Sequence, residues 1–237
     1  MANPPTVLIT GAGRGIGHAC AKRFVDSGYT VIVHYNKSKE QALTLPAAIH
    51  IQADLSSYDE VSKMFKDIHA IVGGVDILVN CAGISEAEFF DKITLTQWQR
   101  VLDTNLSGTF WVTQEASRHM LSQKSGKIIN ISSVFGLTGA SMESHYAAAK
   151  AGIIGLTKSL AQELGPSNIA VNCIAPGAVD TDMLSRLSPK DKQHLIDSIP
   201  LKRLAAPGEI ADLALFLSSP LASYITGQTI SISGGWG

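Results

Sequence analysis

Short runs of β-branched and aliphatic residues alternate along this chain with longer stretches of helical periodicity. "TVLIT" (6–10), "TVIVHY" (30–35), "AIHIQ" (48–52), "VDILVN" (75–80), "GKIINIS" (126–132), "IAVNCIAPG" (169–177) and "QTISIS" (228–233) read as strands. Residues 15–28 (closed by Gly28), 58–72, about 96–122, 145–164 and 207–219 read as helices. The strand runs are apolar on both faces, which marks a sheet covered on both sides rather than one facing water. The intervals between most of them accommodate a helical crossover, the connection that parallel strands require. The pattern predicts an α/β fold: a Rossmann-type doubly wound parallel sheet of about seven strands with helices on both faces.

Two segments break the rhythm. Residues 36–47 are short and polar, so a second crossover helix there is brief. Residues 177–205 are polar, carry Pro189 and Pro200, and follow the end of the sixth strand, so they read as a loop. Ligands of open α/β sheets bind beyond the carboxyl ends of the strands, and residues 184–205 are therefore the expected substrate lid. No linker, internal repeat or low-complexity tract divides the chain, and one domain over residues 1–237 is expected.

With 45% hydrophobic residues among 237, the chain has material for a full core. A net charge of -1 gives no reason to expect nucleic acid or an anionic membrane as partner. No apolar run approaches the length of a membrane span, and the opening "MANPPTVLIT" lacks the basic and apolar regions of a signal peptide. Cys20, Cys81 and Cys173 are far apart in sequence, which suits a reduced interior better than disulfides, and the seven histidines show no metal spacing. A cytoplasmic protein without a metal is the expectation. Trp98 and Trp111 are expected to pack against neighbours, Cys81 to be small core packing, and His145 to line a pocket entrance.

Candidate chemistry begins with "TGAGRGIG" (10–17), between the first strand and the first helix. Glycines at a strand-to-helix turn allow positive φ and let backbone N–H groups approach a pyrophosphate at the helix N-terminus. The spacing is G-x-x-x-G-x-G, through Gly11, Gly15 and Gly17. An acid at the end of the second strand would hold the ribose 2′-hydroxyl of NAD and repel a 2′-phosphate. That strand ends "VHYNKSK" and offers Tyr35 where the acid is expected. Arg14 and Lys37 are placed to pair with a 2′-phosphate, so NADP(H) is favoured over NAD(H). Lys39 reads as a solvated cation.

"HYAAAK" (145–150) places Tyr146 and Lys150 four residues apart, on one helical face. A neighbouring ammonium stabilises phenolate and lowers a tyrosine pKa toward the range useful for acid–base work. The three alanines between them keep the helix slim enough for a cofactor to lie close. Ser133, after the fifth strand, supplies a hydroxyl for a substrate oxygen on which charge develops.

These motifs together resemble the short-chain dehydrogenase/reductase family. "TGAGRGIG", "NCAG" (80–83), "TN" (104–105), "ISS" (131–133), "YAAAK" (146–150), "PGAVDTDM" (176–183) and "YITGQTISISGG" (224–235) follow that family's order and spacing over essentially the whole chain. The resemblance implies that Tyr146 exchanges a proton with the substrate oxygen and that Ser133 polarises the carbonyl. It implies that Lys150 binds the nicotinamide ribose and lowers the Tyr146 pKa, and that Asn105 holds a water linked to the lysine. It places Gly11, Arg14, Gly15, Ile16, Gly17, Tyr35, Asn36, Lys37, Asp54, Leu55, Asn80, Ala82, Gly83, Tyr146, Lys150, Pro176, Gly177, Val179 and Thr181 on the cofactor surface. Asp54 corresponds to the acid at the adenine, and Asn80 to the segment that stabilises the sheet. A homotetramer or homodimer is likewise implied.

Within that family the chain is most similar to 3-oxoacyl-[acyl-carrier-protein] reductases, on "YAAAKAGIIGLTKSLAQEL" (146–164), "VNCIAPGAVDTDM" (171–183) and "IPLKRLAAPGEIADLALFLSS" (199–219). The implied reaction is NADPH-dependent reduction of a β-keto thioester on acyl carrier protein in fatty-acid synthesis. An acidic carrier needs a basic dock, and Lys124 and Lys127 are the expected contributors. Two departures weigh against it. "GPSN" (165–168) is uncharged where many carrier-dependent relatives are basic, and residues 36–47 are short. The alternative is another carbonyl or alcohol as small-molecule substrate: a sugar, steroid, quinone or polyketide-like compound.

Overall fold

The computed structural model describes residues 4–46, 48–185 and 187–237. In chain order the main elements are β1 (Thr6–Ile9), α1 (Gly15–Asp26), β2 (Thr30–Tyr35), α2 (Lys39–Ala42), β3 (Ile49–Gln52), α3 (Tyr58–Val72) and β4 (Ile77–Asn80). There follow α4 (Leu95–Leu102), α5 (Gly108–Gln123), β5 (Gly126–Ile131), α6 (Phe135–Thr138), α7 (Ser144–Leu164), β6 (Ile169–Pro176), α8 (Pro189–Ser198), α9 (Pro207–Ser218) and β7 (Thr229–Ile232). The seven strands form one parallel sheet in the order β3-β2-β1-β4-β5-β6-β7. The order reverses between β1 and β4, which opens a crevice at their carboxyl ends, where such sheets bind ligands.

The alternation of side chains along each strand builds two cores. Val7, Ile9, Val31, Val33, Ile77 and Val79 face one layer, with Cys20 and Phe24 of α1 and Ile210 and Ala214 of α9. Their neighbours Leu8, Ile32, Leu78 and Ile128 face the opposite layer, against Val61 and Met64 of α3 and Val112 and Met120 of α5. Both faces of each strand are thus apolar because both are covered.

Three local features depart from the sequence reading. The stretch expected as one long helix is α4 and α5 joined by a π-helical turn over Asp103–Ser107. Thr94 caps α4 in a reciprocal box with Gln97. Residues 177–205 are not all loop: α8 lies inside them, with Pro189 at its first turn and Ser188 accepting from the Asp191 N–H at 3.2 Å. Proline suits the first helical turn, where its missing N–H has no partner to lose. A short helix, α6, follows β5 where none was expected. The second crossover is brief as expected, with a single helical turn at Lys39–Ala42; residue 47 lies outside the described residues.

A buried polar network crosses this frame. Asn80 Nδ2 donates to Thr113 Oγ1 at 2.8 Å and to Asn130 Oδ1 at 2.9 Å, and Asn130 Nδ2 donates to Thr157 Oγ1 at 2.9 Å. It links β4 and β5 to α5 and α7.

Candidate active site

The glycine turn is shaped by close approaches. Gly11 has φ +64°, and a Cβ there would lie 2.7 Å from Ala82 Cα; one on Gly17 would lie 2.4 Å from the Gly11 carbonyl oxygen. Neither position tolerates a side chain without moving backbone. Thr10 Oγ1 accepts from the N–H groups of Cys81 and Ala82, at 3.0 and 3.1 Å, and locks the ends of β1 and β4 together. Arg14 is the N-cap of α1, extended and exposed, with no acid in the helix's first turn. Ile16 is half-buried and packs on the α1 layer.

The segment after β2 lies directly against this turn. A Cβ on Gly13 would lie 2.7 Å from Ser38 Cβ. Lys37 is exposed and Asn36 half-buried, with the Asn36 carbonyl accepting from Gln52 Nε2 at 2.9 Å. Arg14 and Lys37 are thereby brought to the same rim. Tyr35, expected at that rim, is instead 7% exposed and packed in the core with Ala42 and Leu45. Leu55 is also core, 4% exposed; its carbonyl oxygen would lie 2.8 Å from a Cβ on Gly108. Asp54 stands beside it, accepting from the Ser56 N–H at 3.0 Å and Ser56 Oγ at 2.7 Å. Partial burial raises the Asp54 carboxyl, but the Ser56 hydrogen bonds, Asn36 and Lys37 together hold it below its ordinary value.

His34 is a participant that sequence reading missed, because nothing in "VIVHY" marks it. Its Nδ1 accepts from the Gly11 N–H at 3.2 Å, and its Nε2 meets the Ala53 carbonyl at 3.0 Å. One imidazole thus ties the glycine turn to the Asp54 loop. Burial pushes it from 6.5 down to about 4, against the opposing pull of the Ala53 carbonyl and Asp54. Between those values the unfolded chain binds the extra proton, so stability is complete above pH 6.5 and declines as pH falls toward 4. The loss is about 3 kcal/mol at its limit. Denaturant titrations at stepped pH should show this slope flattened in His34→Gln; an unchanged slope would exclude His34 as its source.

At the carboxyl ends of β4 and β5 the other expected residues converge. Asn105, fully buried in the π-helical turn, accepts from the Ile84 N–H and donates to the Ile84 carbonyl, both at 2.8 Å. A Cβ on Gly83 would lie 3.3 Å from Asn105 Oδ1 and 3.4 Å from Lys150 Nζ. Lys150 Nζ donates to the Ile131 carbonyl at 2.9 Å and lies 5.6 Å from the Tyr146 ring centroid. Ser133 Oγ accepts from the Phe135 N–H at 3.1 Å. Asn80 turns its amide into the polar network described above, as a sheet-stabilising residue. On the far side, Val134 N–H donates to the Pro176 carbonyl at 2.9 Å and Gly177 N–H to Ile232 at 3.0 Å. Val179 bridges to Ala205, and Thr181 Cγ2 would lie 3.4 Å from a Cβ on Gly15. The loop after β6 therefore arches back to the glycine turn.

The ionisation of the pair differs from the expectation. Burial pushes the Tyr146 phenol up to about 12, with the Ser133 hydroxyl opposing and the Glu143 charge and Cys81 thiol adding to the rise. Burial also lowers Lys150, against the Cys81 and Cys173 thiols. Lys150 is not among the groups that shift the phenol, and its Nζ donates to the Ile131 carbonyl. The intervening alanines serve packing: Ala149 is fully buried against Val101.

Other expectations are corrected. His145 is fully buried with neither ring nitrogen partnered, so it does not line an entrance. Trp98 is 40% exposed, whereas Trp111 packs edge-on against Tyr58 and Phe110. Lys127 is the second residue of β5 and Lys124 precedes the strand, so both sit at the strand's amino end. Six residues of strand rise, roughly 20 Å, separate Lys127 from Ser133. They do not stand beside Ser133. Among the described residues, no group of His, Cys, Asp and Glu could hold a metal ion, and no helix is long and apolar enough to cross a membrane.

The parallel sheet, its glycine turn and the Ser133–Tyr146–Lys150 cluster at the crevice define a nicotinamide-dependent oxidoreductase acting on CH–OH groups. The chain belongs to the short-chain dehydrogenase/reductase family. A model of that family described as Enoyl-(Acyl carrier protein) reductase matches residues 11–237. The chain is 45% identical to the 3-oxoacyl-[acyl-carrier-protein] reductase FabG of Aquifex aeolicus, over 96% of this chain and 95% of the relative. It is 43% identical to the protein of that name from Staphylococcus aureus, over 97% of each. The crystal structure of 3-oxoacyl-[acyl-carrier protein] reductase from Brucella melitensis superposes with a TM-score of 0.90 at 37% identity, covering 98% of this chain and 91% of that one.

Proposed function

We propose that this protein reduces the 3-oxo group of an acyl thioester borne on acyl carrier protein to the 3-hydroxy form, using NADPH, as a step of fatty-acid synthesis. The observation that carries the reading is the meeting of Ser133 and Tyr146, with Lys150 behind them, at the carboxyl end of β5. Two O–H groups at one point suit an oxygen on which negative charge develops, and so a carbonyl more than a carbon–carbon double bond. The relatives described above are named for that reaction.

The nicotinamide supplies the hydride when bound. Ser133 donates a hydrogen bond to the substrate oxygen and fixes its position. Tyr146 gives that oxygen its proton. Lys150 holds positive charge behind the phenol and is within reach of Gly83 on the cofactor side. The glycine turn fits a pyrophosphate, because its side-chain-free backbone opens α1 with no first-turn acid. Asp54, Ala82 and Gly83 are assigned to the adenosine side, and Pro176, Gly177, Val179 and Thr181 to the nicotinamide side. Arg14 and Lys37 take the 2′-phosphate, and β2 itself ends on Tyr35, followed by Asn36, rather than on an acid. Residues 184–205, of which 186 lies outside the described residues, form the lid with α8, based on the Val179–Ala205 bridge. The exposed Leu95, Trp98 and Phe110 on α4 and α5 support a homotetramer or homodimer. Three free thiols support a reducing, cytoplasmic setting.

The test follows dinucleotide oxidation with an acetoacetyl thioester, free and carrier-linked, beside a crotonyl thioester and beside NADH. Turnover of the acetoacetyl substrates with NADPH is expected. Crotonyl turnover alone would replace the reading with enoyl reduction, and tight NADPH binding without either would send the search to other carbonyls. In Arg14→Ala/Lys37→Ala, KM for NADPH should rise roughly 10- to 100-fold, the worth of lost charge-assisted hydrogen bonds, with KM for NADH unchanged. An equal rise for both would remove these two from 2′-phosphate recognition.

A further inference from the structure

Ser132 stands one residue before Ser133 and is used by none of the steps above. It is buried, 3% exposed. Its Oγ donates to the Lys150 carbonyl at 2.8 Å, and its N–H donates to the Ile174 carbonyl of β6, also at 2.8 Å. The Lys150 ammonium returns the contact, donating to the Ile131 carbonyl at 2.9 Å. Lys150 is therefore held twice, by main chain and by side chain, on the two residues that precede Ser133. The Ser132 bond is the one that does not depend on where the ammonium points.

The fit around this clasp is close. A Cβ on Gly136 of α6 would lie 2.8 Å from the Lys150 carbonyl carbon, 2.9 Å from Ser132 Oγ and 3.0 Å from the Ala151 nitrogen. α6 thus closes over the bond at backbone distance, with the Gly136 N–H donating to the Ser133 carbonyl at 2.9 Å. The Cys173 thiol of β6 adjoins the same hydroxyl. Apolar contacts of α7, such as Ala149 against Val101, are non-directional and fix the height of a helix less sharply than a hydrogen bond does. The bond from Asn130 to Thr157 also joins β5 to α7, but it lies seven residues beyond Lys150, roughly 10 Å along the axis. Tyr146 lies on the opposite side of Lys150, so of these two bonds the one from Ser132 is nearer the reacting groups.

We propose that Ser132 is a positioning residue: its hydroxyl sets the height of α7 against the end of β5, and with it the separation of the Ser133 and Tyr146 oxygens that receive the substrate carbonyl. The inference rests on Ser133 and Tyr146 meeting one substrate oxygen, as proposed above. The lever is short at both ends. Ser133 is the next residue along the chain, and Tyr146 is about one helical turn from Lys150. A shift of α7 at Lys150 therefore reaches the phenol almost undiminished. Two donors aimed at one oxygen tolerate little of it, because hydrogen bonds weaken steeply with distance and angle and a misplacement of ~1 Å can cost ~10²-fold in rate.

The test compares wild type, Ser132→Ala, Ser133→Ala and the double variant. For each, kcat and KM with NADPH and a β-keto thioester are measured well below the unfolding temperature, beside NADPH binding by fluorescence and unfolding by calorimetry. In Ser132→Ala, kcat should fall roughly 10-fold while NADPH affinity is unchanged. Unfolding should begin about 2–4 °C lower, the effect of one lost hydrogen bond. In the Ser133→Ala background the same change should leave kcat nearly as it was, because a carbonyl held by Tyr146 alone can follow the phenol. The unfolding temperature should still drop by as much as before. A loss that vanishes for rate and persists for unfolding acts on rate through Ser133, and a merely structural role would not produce that split. An unchanged kcat in Ser132→Ala, with only the lower unfolding temperature, would leave Ser132 a packing residue and overturn the proposal. An equal fall of kcat in both backgrounds would overturn it as well, since the effect would then bypass Ser133. A Ser133→Ala variant as fast as wild type would instead sink the carbonyl-holding role of Ser133, the reading beneath.

Discussion

Tyr146→Phe should bind NADPH as the wild type does and reduce its substrate on the order of 10²- to 10⁴-fold more slowly, the usual worth of a positioned general acid. The change deletes one oxygen from a side chain whose ring is already held by Val101, Ala149 and Ile84, so the fold has little reason to respond. It removes the only group in the cluster suited to give a proton to the new alkoxide. Ser133 has no charge relay behind it, and Lys150 donates a hydrogen bond to the Ile131 carbonyl. Ser133→Ala should lose less, because Tyr146 still provides one O–H to the same oxygen. Steady-state kinetics with dinucleotide binding followed separately by fluorescence decides the matter. Weakened binding in proportion to lost turnover would mean that the phenol holds ligand rather than moves a proton.

Asn130→Ala should be the most damaging of the single substitutions away from the reacting groups, costing about 2–4 kcal/mol. Asn130 is fully buried and stands between Asn80 and Thr157. Its truncation leaves one Asn80 N–H without an acceptor, beside an Asn80 Oδ1 that already has no partner. Buried polar groups stranded in this way lose their water and gain nothing in return. At roughly 2–4 °C per kcal/mol for a chain of this size, thermal unfolding should begin about 5–15 °C lower. The double variant Asn80→Ala/Asn130→Ala should cost less than the sum of the two single changes, since it removes both members at once; calorimetry on the cycle of four proteins measures that coupling. Strict additivity would show that the two amides do not act as a unit.

The layers of this fold were legible because the strand runs are apolar on both faces, and only a parallel sheet covered twice makes use of that pattern. The glycine turn and the tyrosine–lysine spacing were legible for similar reasons: each is a short-range relation along the chain, imposed by φ angles or by helical pitch. The errors fell where a property depends on residues distant in sequence. His34 is an ordinary strand residue until the folded sheet sets its ring between the Gly11 N–H and the Ala53 carbonyl. Tyr35 stood at the right place for a rim residue and was drawn into the core by α1 and α2. Lys124 and Lys127 were basic and close in sequence to the fifth strand, yet strand direction places them at its far end. α8 was hidden because Pro189, read as a loop residue, occupies the one helical position that welcomes proline.

Tyr146 and Lys150 carry both kinds of lesson. Their shared face follows from a period of 3.6 residues per turn and needed no coordinates. Their ionisation did not follow, because it depends on what desolvates them, and β5, α4 and the β4 loop arrive from elsewhere in the chain. Periodicity, turn chemistry and the order of elements are written locally, and from these the sheet, the glycine turn and the shared face of Tyr146 and Lys150 could be read. Burial, strand direction and the seating of charges such as Glu143 are sums over the whole folded chain. Those sums set the proton affinity of the phenol, the wall that holds it and the end of the sheet on which each cation stands.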